Sequence, residues 1–133
     1  MNLSTTPIAA VVATGLAGVA VFQVALALGT PWGRVAWGGM QAELPTRLRL
    51  GSAASAVFLS VGALIVLGRG GYWPASGLDA LFRWGVWAMA ALLGLSSLAN
   101  FASGSRWERF LMGPIALVLS LLCLLVALGP AAA

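Results

Sequence analysis

Long runs of apolar residues, separated by short polar segments, make up most of the chain. Four runs reach the roughly 20 residues that a helix needs to cross a hydrocarbon core of about 30 Å. They cover residues 7–29, 46–68, 78–102 and 107–129. Backbone polar groups in lipid must bond within their own segment, so runs of this length predict helices. We therefore expect an all-α membrane protein, one domain over residues 1–133, folded as an up-down bundle of four transmembrane helices with short loops.

Glycine, proline and hydroxyl residues mark the ends of these runs. Thr6-Pro7 predicts a capped start of the first helix, and Gly29-Thr30-Pro31 predicts its end. Ser76 to Asp79 and Ser105 to Glu108 have the serine–acid spacing of a capping box, which predicts the starts of the third and fourth helices. Pro114 falls inside the last run, where it should kink the helix unless the helix begins there.

The composition and the aromatic residues support a membrane protein. Of the 133 residues, 61% are hydrophobic and only 8% are charged, whereas a typical soluble domain has about 25% charged residues. All six tryptophans lie in loops or within about three turns of a span end, as in the interfacial belts of membrane proteins. Lipid is the solvent that such a surface requires.

The net charge of +4 is the balance of seven arginines and three acidic residues, and the distribution of the arginines predicts the orientation. Five belong to the first and third loops, and two lie on the opposite side: Arg34, Arg47, Arg49, Arg106 and Arg109 against Arg69 and Arg83. The positive-inside rule then places loops 30–45 and 103–106 in the cytoplasm and both termini outside. Because the arginines form no basic stripe, we expect membrane lipids as partners and no nucleic acid.

Small residues recur at helical spacing within the spans. Ser52, Ala56 and Ser60 follow each other at four-residue steps in the second span, and Ala90 and Gly94 do so in the third. Such stripes let helix backbones approach closely in lipid. They predict helix packing, either inside the bundle or against another protein.

Catalytic chemistry has little support in the sequence. Glu43, Asp79 and Glu108 all fall in loops or at helix starts, where capping is the favoured interpretation for Asp79 and Glu108. With no histidine and a single cysteine, Cys123, the chain lacks the ligands of a zinc or iron site. We expect no catalytic residues, no metal and no cofactor, and hence a protein that is not an enzyme.

Two amides stand out because they lie inside spans. Gln23 and Asn100 need hydrogen-bond partners there, since an unbonded amide in hydrocarbon is costly. Both fall in the half of the membrane nearer the first and third loops, so the two side chains can approach each other. They either bond between helices or provide a polar lining for a ligand site.

The first loop is the most distinctive segment, because it is longer than a simple connection needs to be and has an unusual composition. Trp32 and Trp37 flank Arg34, and each tryptophan is followed by glycine. The loop either is a passive interfacial connection or folds over the end of the bundle. In the second case Trp32, Arg34 and Trp37 would hold a lipid phosphate or another anionic head group. Glu43 would pair with Arg34 or Arg47.

The chain also resembles a group of small bacterial four-helix membrane proteins. The residues that carry the resemblance are Pro31-Trp32-Gly33, Ala36-Trp37-Gly38-Gly39, Leu44-Pro45, Leu48-Arg49, Ser52, Asn100, Ser103, Ser105-Arg106-Trp107-Glu108-Arg109 and Pro114. The resemblance spans nearly the whole chain. It implies the four-helix architecture and the bacterial inner membrane as location, and it implies no activity.

Three functions remain open at this point. The favoured hypothesis is a non-catalytic accessory or assembly subunit of a membrane complex, or a homo-oligomer, because the small-residue stripes suit helix contacts. One alternative is a small transporter or channel lined by Gln23, Arg34 and Asn100. The other is a protein that binds a lipid or isoprenoid beneath the first loop.

Overall fold

A computed structural model describes residues 4–74 and 76–130. Its four long helices are α1 (Thr5–Ala27), α2 (Thr46–Arg69), α3 (Asp79–Phe101) and α4 (Gly113–Leu128). A single π-helical turn, Glu108–Met112, leads directly into α4. Each of the four spans is long and apolar enough to cross a membrane. The predicted four-helix membrane fold is confirmed, and every span end lies within two residues of its expected position.

The helices alternate in direction and form a ring in chain order. At one end, which we call the terminal end, the Thr6 hydroxyl donates to the Gly70 carbonyl (2.8 Å), and Arg69 Nη2 donates to the Gly129 carbonyl (2.9 Å). At the other, the loop end, the Ser105 hydroxyl donates to the Arg34 carbonyl (2.7 Å). α1 packs most extensively on α2, and α3 on α4. The outermost residues of both termini lie outside the described residues.

The centre of the bundle is apolar and consists of small and medium-sized side chains. Leu16, Val66, Val86 and Val126 are fully buried there. Many other aliphatic side chains face outward, and Leu95, for example, is 63% exposed. This distribution suits a bundle surrounded by lipid, in which close packing of small residues holds the helices together.

Two helix starts differ from the expectation. Ser4, not Thr6, caps α1, because the Ser4 hydroxyl accepts a hydrogen bond from the Thr6 amide (3.3 Å). The Thr6 hydroxyl instead donates to the Gly70 carbonyl. The capping box at Ser76–Asp79 does not form: Leu78 takes the N-cap position without a side-chain hydrogen bond. Gly77 has a φ of +81° and turns the backbone between the two predicted partners.

Pro114 neither starts the last helix nor breaks it. Proline lacks an amide hydrogen and collides with the carbonyl four residues earlier in a regular α-helix. The π turn widens the backbone just before it, and the Gly113 amide donates to the Glu108 carbonyl five residues back. The span therefore runs without interruption from Glu108 to Leu128.

The small-residue stripes are distributed over different surfaces. Ser52 and Ala56 are buried, but Ser60 is exposed, since a four-residue step rotates by about 40° more than one turn and leaves the buried face. In α3, Ala90 is buried and its carbonyl accepts from the Ser120 hydroxyl (2.7 Å). A Cβ on Gly94 would lie 3.3 Å from the same hydroxyl. Ala90 and Gly94 thus pack on α4.

Candidate functional site

The first loop folds back on itself and covers the loop end of the bundle. The Gly33 amide donates to the Ala42 carbonyl (2.7 Å), which closes the loop near its two ends. A Cβ on Gly33 would lie 2.7 Å from that carbonyl oxygen, so the close approach requires glycine. Ala36 and Leu44 are buried with Leu26 of α1 in a small apolar cluster beneath the loop. The loop is therefore a packed element of the fold.

A left-handed turn at Trp37-Gly38-Gly39 sets the position of the Trp37 ring. The φ angles of the three residues are +52°, +82° and +68°. Such a φ is uncommon for a residue other than glycine and must be held by its surroundings. The indole Nε1 of Trp37 donates to the hydroxyl of Ser52 (2.9 Å), and the ring packs on Gly51, where a Cβ would lie 2.9 Å from it.

Glu108 joins the first loop to the third. Its Oε1 accepts from the Gly38 amide (3.1 Å), and its Oε2 accepts from the Ser103 hydroxyl. The side chain is only 6% exposed. Half of the expected capping box forms, because the Glu108 amide donates to Ser105 Oγ (3.4 Å). The carboxylate does not return to the Ser105 amide, which donates to Ser103 Oγ instead (3.1 Å).

Beneath this turn lies a cavity of about 290 Å³. Its polar lining is concentrated at the loop end and consists of Gln23, Trp37, Ser55, Ser96, Asn100 and Glu108. Deeper in the bundle its walls are aliphatic, with Leu93 and Leu119 among them. Phe58 of α2 and Leu92 of α3 also line the cavity, although they are 46% and 45% exposed. The cavity therefore opens to the lateral surface of the bundle, where Phe58 of α2 and Leu92 of α3 are exposed, and we call this opening its mouth.

Both intramembrane amides, Gln23 and Asn100, line this cavity. Asn100 Nδ2 donates to Ser96 Oγ over 3.5 Å, a long and weak hydrogen bond. The Gln23 Oε1 is enclosed by protein and has no hydrogen-bond partner among the described residues. Leaving an amide unbonded in an apolar environment costs about 2–7 kcal/mol. Because Gln23 also lines the cavity, this unused acceptor lies at the wall of an open volume.

The other candidate residues of the first loop lie away from the cavity. Trp32 stacks on Phe22 with ring centroids 6.4 Å apart. Arg34 is exposed and contributes its backbone carbonyl to the contact with Ser105. Glu43 is also exposed, and no ion pair joins it to an arginine among the described residues. Of Trp32, Arg34 and Trp37, only Trp37 lines the cavity, and the phosphate site that these three residues would form stays a prediction.

Sequence reasoning missed Ser55, Ser96 and the role of Glu108 as part of the lining. Ser55 and Ser96 were hard to separate from other small residues in the spans. The carboxylate of Glu108 has the spacing of a cap, and its reach to Gly38 depends on how two distant loops meet. Within the described residues, no group of three potential metal ligands exists.

Comparison with known proteins adds no constraint on this site. No family model matches the chain, and no curated protein or solved structure matches it. The function must therefore be argued from the cavity and from the surfaces of the helices.

Proposed function

We propose that this protein is a non-catalytic integral membrane protein that binds one amphiphilic, lipid-like molecule in the lateral cavity beneath the first loop. The main observation in support of this proposal is that the cavity has a polar end and an apolar end. Gln23, Asn100 and Glu108 line the polar end, while aliphatic residues line the rest. A molecule with a polar head and a hydrocarbon chain matches both parts.

The position of the mouth supports the same proposal. Phe58 and Leu92 flank an opening between α2 and α3, at the surface that lipid would cover. An amphiphile can enter there from the bilayer with its head toward the loop end. The volume of about 290 Å³ lies just below the roughly 300–1,000 Å³ that is usual for small-molecule sites. The cavity then holds the head and part of one chain, and the rest stays in the bilayer.

We further propose that the loop end faces the cytoplasm of a bacterial inner membrane and that both termini face outward. The arginine distribution supports this orientation. The head group would then lie in the cytoplasmic leaflet.

A cavity-filling substitution tests the proposed binding. Ser55 lines the cavity, whereas Ser60 lies on the same helix, is exposed and is absent from the lining. We expect native mass spectrometry to detect a bound amphiphile on the purified wild-type protein and on the Ser60→Leu variant. The Ser55→Leu variant should have lost it. A wild-type protein without bound amphiphile, or equal occupancy in the two variants, would contradict the proposal.

A second candidate function is association with another copy or with a partner subunit, and α1 offers a specific surface for it. Thr14, Ala17, Gly18 and Val21 are exposed along one side of α1. A Cβ on Gly18 would meet nothing within 4 Å. Because small residues drive helix association in lipid, this open face suits a partner helix. Gly18→Leu should abolish a cross-linked complex in membranes, while Ser60→Leu should preserve it.

The transporter alternative receives less support. Gln23 and Asn100 share the cavity, but Arg34 does not line it. On the terminal side of the cavity, the described core consists of buried apolar residues such as Val12 and Val126. We therefore do not propose a polar path across the bundle.

A further inference from the structure

The lining of the cavity restricts which head group it can accept. We propose that the ligand is an amphiphile whose head carries a free hydroxyl and no negative charge, and not an anionic phospholipid. This inference rests on the proposed function, since it specifies the ligand of the same site. It follows from the charge of the lining and from its unused hydrogen-bonding groups.

The charge of the lining excludes an anionic head. Glu108 is the one ionisable side chain of the described lining, and none of the seven arginines belongs to it. A phosphate placed here would lie beside a carboxylate in a region of low dielectric constant, without a cation to compensate it. Like charges at short distance repel strongly in such surroundings. A phosphate head would therefore be rejected, although the loop end as a whole is rich in arginine.

The hydrogen-bonding groups of the lining favour a head group with a hydroxyl over a head group that has only hydrogen-bond acceptors. Gln23 lines the cavity and its Oε1 is enclosed without a partner, so rotation of the amide about its soft terminal torsion is what brings the oxygen or the nitrogen to the ligand. Asn100 Nδ2 is held only by its 3.5 Å bond to Ser96. One hydroxyl can donate to the Gln23 oxygen and accept from an amide nitrogen. A head without a donor would leave the Gln23 oxygen unbonded.

A set of matched probes tests the inference. The full-length protein is reconstituted in phosphatidylcholine nanodiscs that contain one of four probes. Dioleoylglycerol and geranylgeraniol both carry a free hydroxyl and represent glycerolipid and isoprenoid sources. The 3-acetyl ester of dioleoylglycerol lacks the donor, and dioleoyl phosphatidic acid carries the negative charge. Binding is measured as the amount of probe retained per protein by native mass spectrometry.

We expect at least one hydroxyl probe to bind about tenfold more tightly than both the acetyl ester and phosphatidic acid. A tenfold difference in affinity corresponds to the free energy of about one well-formed hydrogen bond. Which hydroxyl probe binds more tightly identifies the source. Equal binding of phosphatidic acid or of the acetyl ester would overturn the inference and leave the proposed function standing. If no probe binds, or if binding survives Ser55→Leu, the proposed function fails as well.

Two variants check the assigned roles. Gln23→Leu should weaken binding of the hydroxyl probes by about threefold to tenfold, the effect of losing one hydrogen bond. Glu108→Gln keeps the shape of the side chain but removes its charge, so binding of phosphatidic acid relative to dioleoylglycerol should rise. The matched control is Glu43→Gln, because Glu43 is exposed and absent from the lining. An unchanged ratio in Glu108→Gln would overturn the electrostatic part of the inference.

Discussion

Gly39 is a single backbone position on which the contact between the first and third loops, above the cavity, depends. Its φ is +68°, a conformation that side chains with a Cβ rarely adopt. A Cβ at this position would lie 2.6 Å from Cβ of Ser105 and 2.9 Å from the Arg34 carbonyl oxygen. The first and third loops can therefore meet only if this residue has no side chain.

We expect Gly39→Ala to destabilise the protein by about 1–3 kcal/mol, since it combines an unfavourable φ with a contact that requires movement of the third loop. The matched control is Gly104→Ala in the third loop. A Cβ on Gly104 meets nothing within 4 Å and its φ is not in the left-handed region. Thermal unfolding in detergent, followed by circular dichroism, measures both variants. Equal melting temperatures would contradict the argued contact between the loops.

At the level of the elements, Arg49 connects the start of α2 to the end of α1. Its Nε donates to the Ala27 carbonyl (3.0 Å), which is one of the carbonyls left without a helical partner at the end of α1. The guanidinium also lies over Gly29, where a Cβ would be 3.2 Å from Cζ. Arg49 thus caps the C-terminal end of α1.

Arg49→Ala should destabilise the bundle by about 1.5–3 kcal/mol, the range for a hydrogen bond from a charged group. Arg47→Ala is the matched control, because Arg47 is exposed on the same turn of α2 and its loss changes the net charge equally. Chemical unfolding in mixed micelles compares the two. A similar loss in both variants would mean that charge, and not the cap on α1, determines the effect.

The elements also show what the sequence alone could predict. The four spans followed from local patterns, because hydropathy, proline and glycine act over one or two turns. The role of Glu108 depended on Gly38, which is 70 residues away in the chain. The same is true of Thr6, which donates to Gly70 rather than capping its own helix. Contacts between distant segments leave no periodic signal, so the cavity appeared in the sequence only as two isolated amides, Gln23 and Asn100.

At the scale of the whole molecule, both ends of the bundle carry polar contacts between elements, but the kind of contact differs between the two ends. At the terminal end, Arg69 donates to a backbone carbonyl, and Thr5 and Thr6 connect helix ends. At the loop end, Glu108 and the amides surround an open volume. If the proposed function is correct, the site belongs to one leaflet, and the orientation of the chain decides which leaflet supplies the ligand.

Cysteine labelling of intact cells would determine that orientation. The background is Cys123→Ala, which removes the single, buried cysteine. Gly104 in the third loop and Ser76 in the second are both exposed, and each is replaced by cysteine in turn. We expect a membrane-impermeant maleimide to label Ser76→Cys in intact cells and Gly104→Cys only after permeabilisation, because more arginines lie at the loop end. The reverse pattern would place the cavity in the outer leaflet, and the ligand would then have to be sought among the lipids of that leaflet.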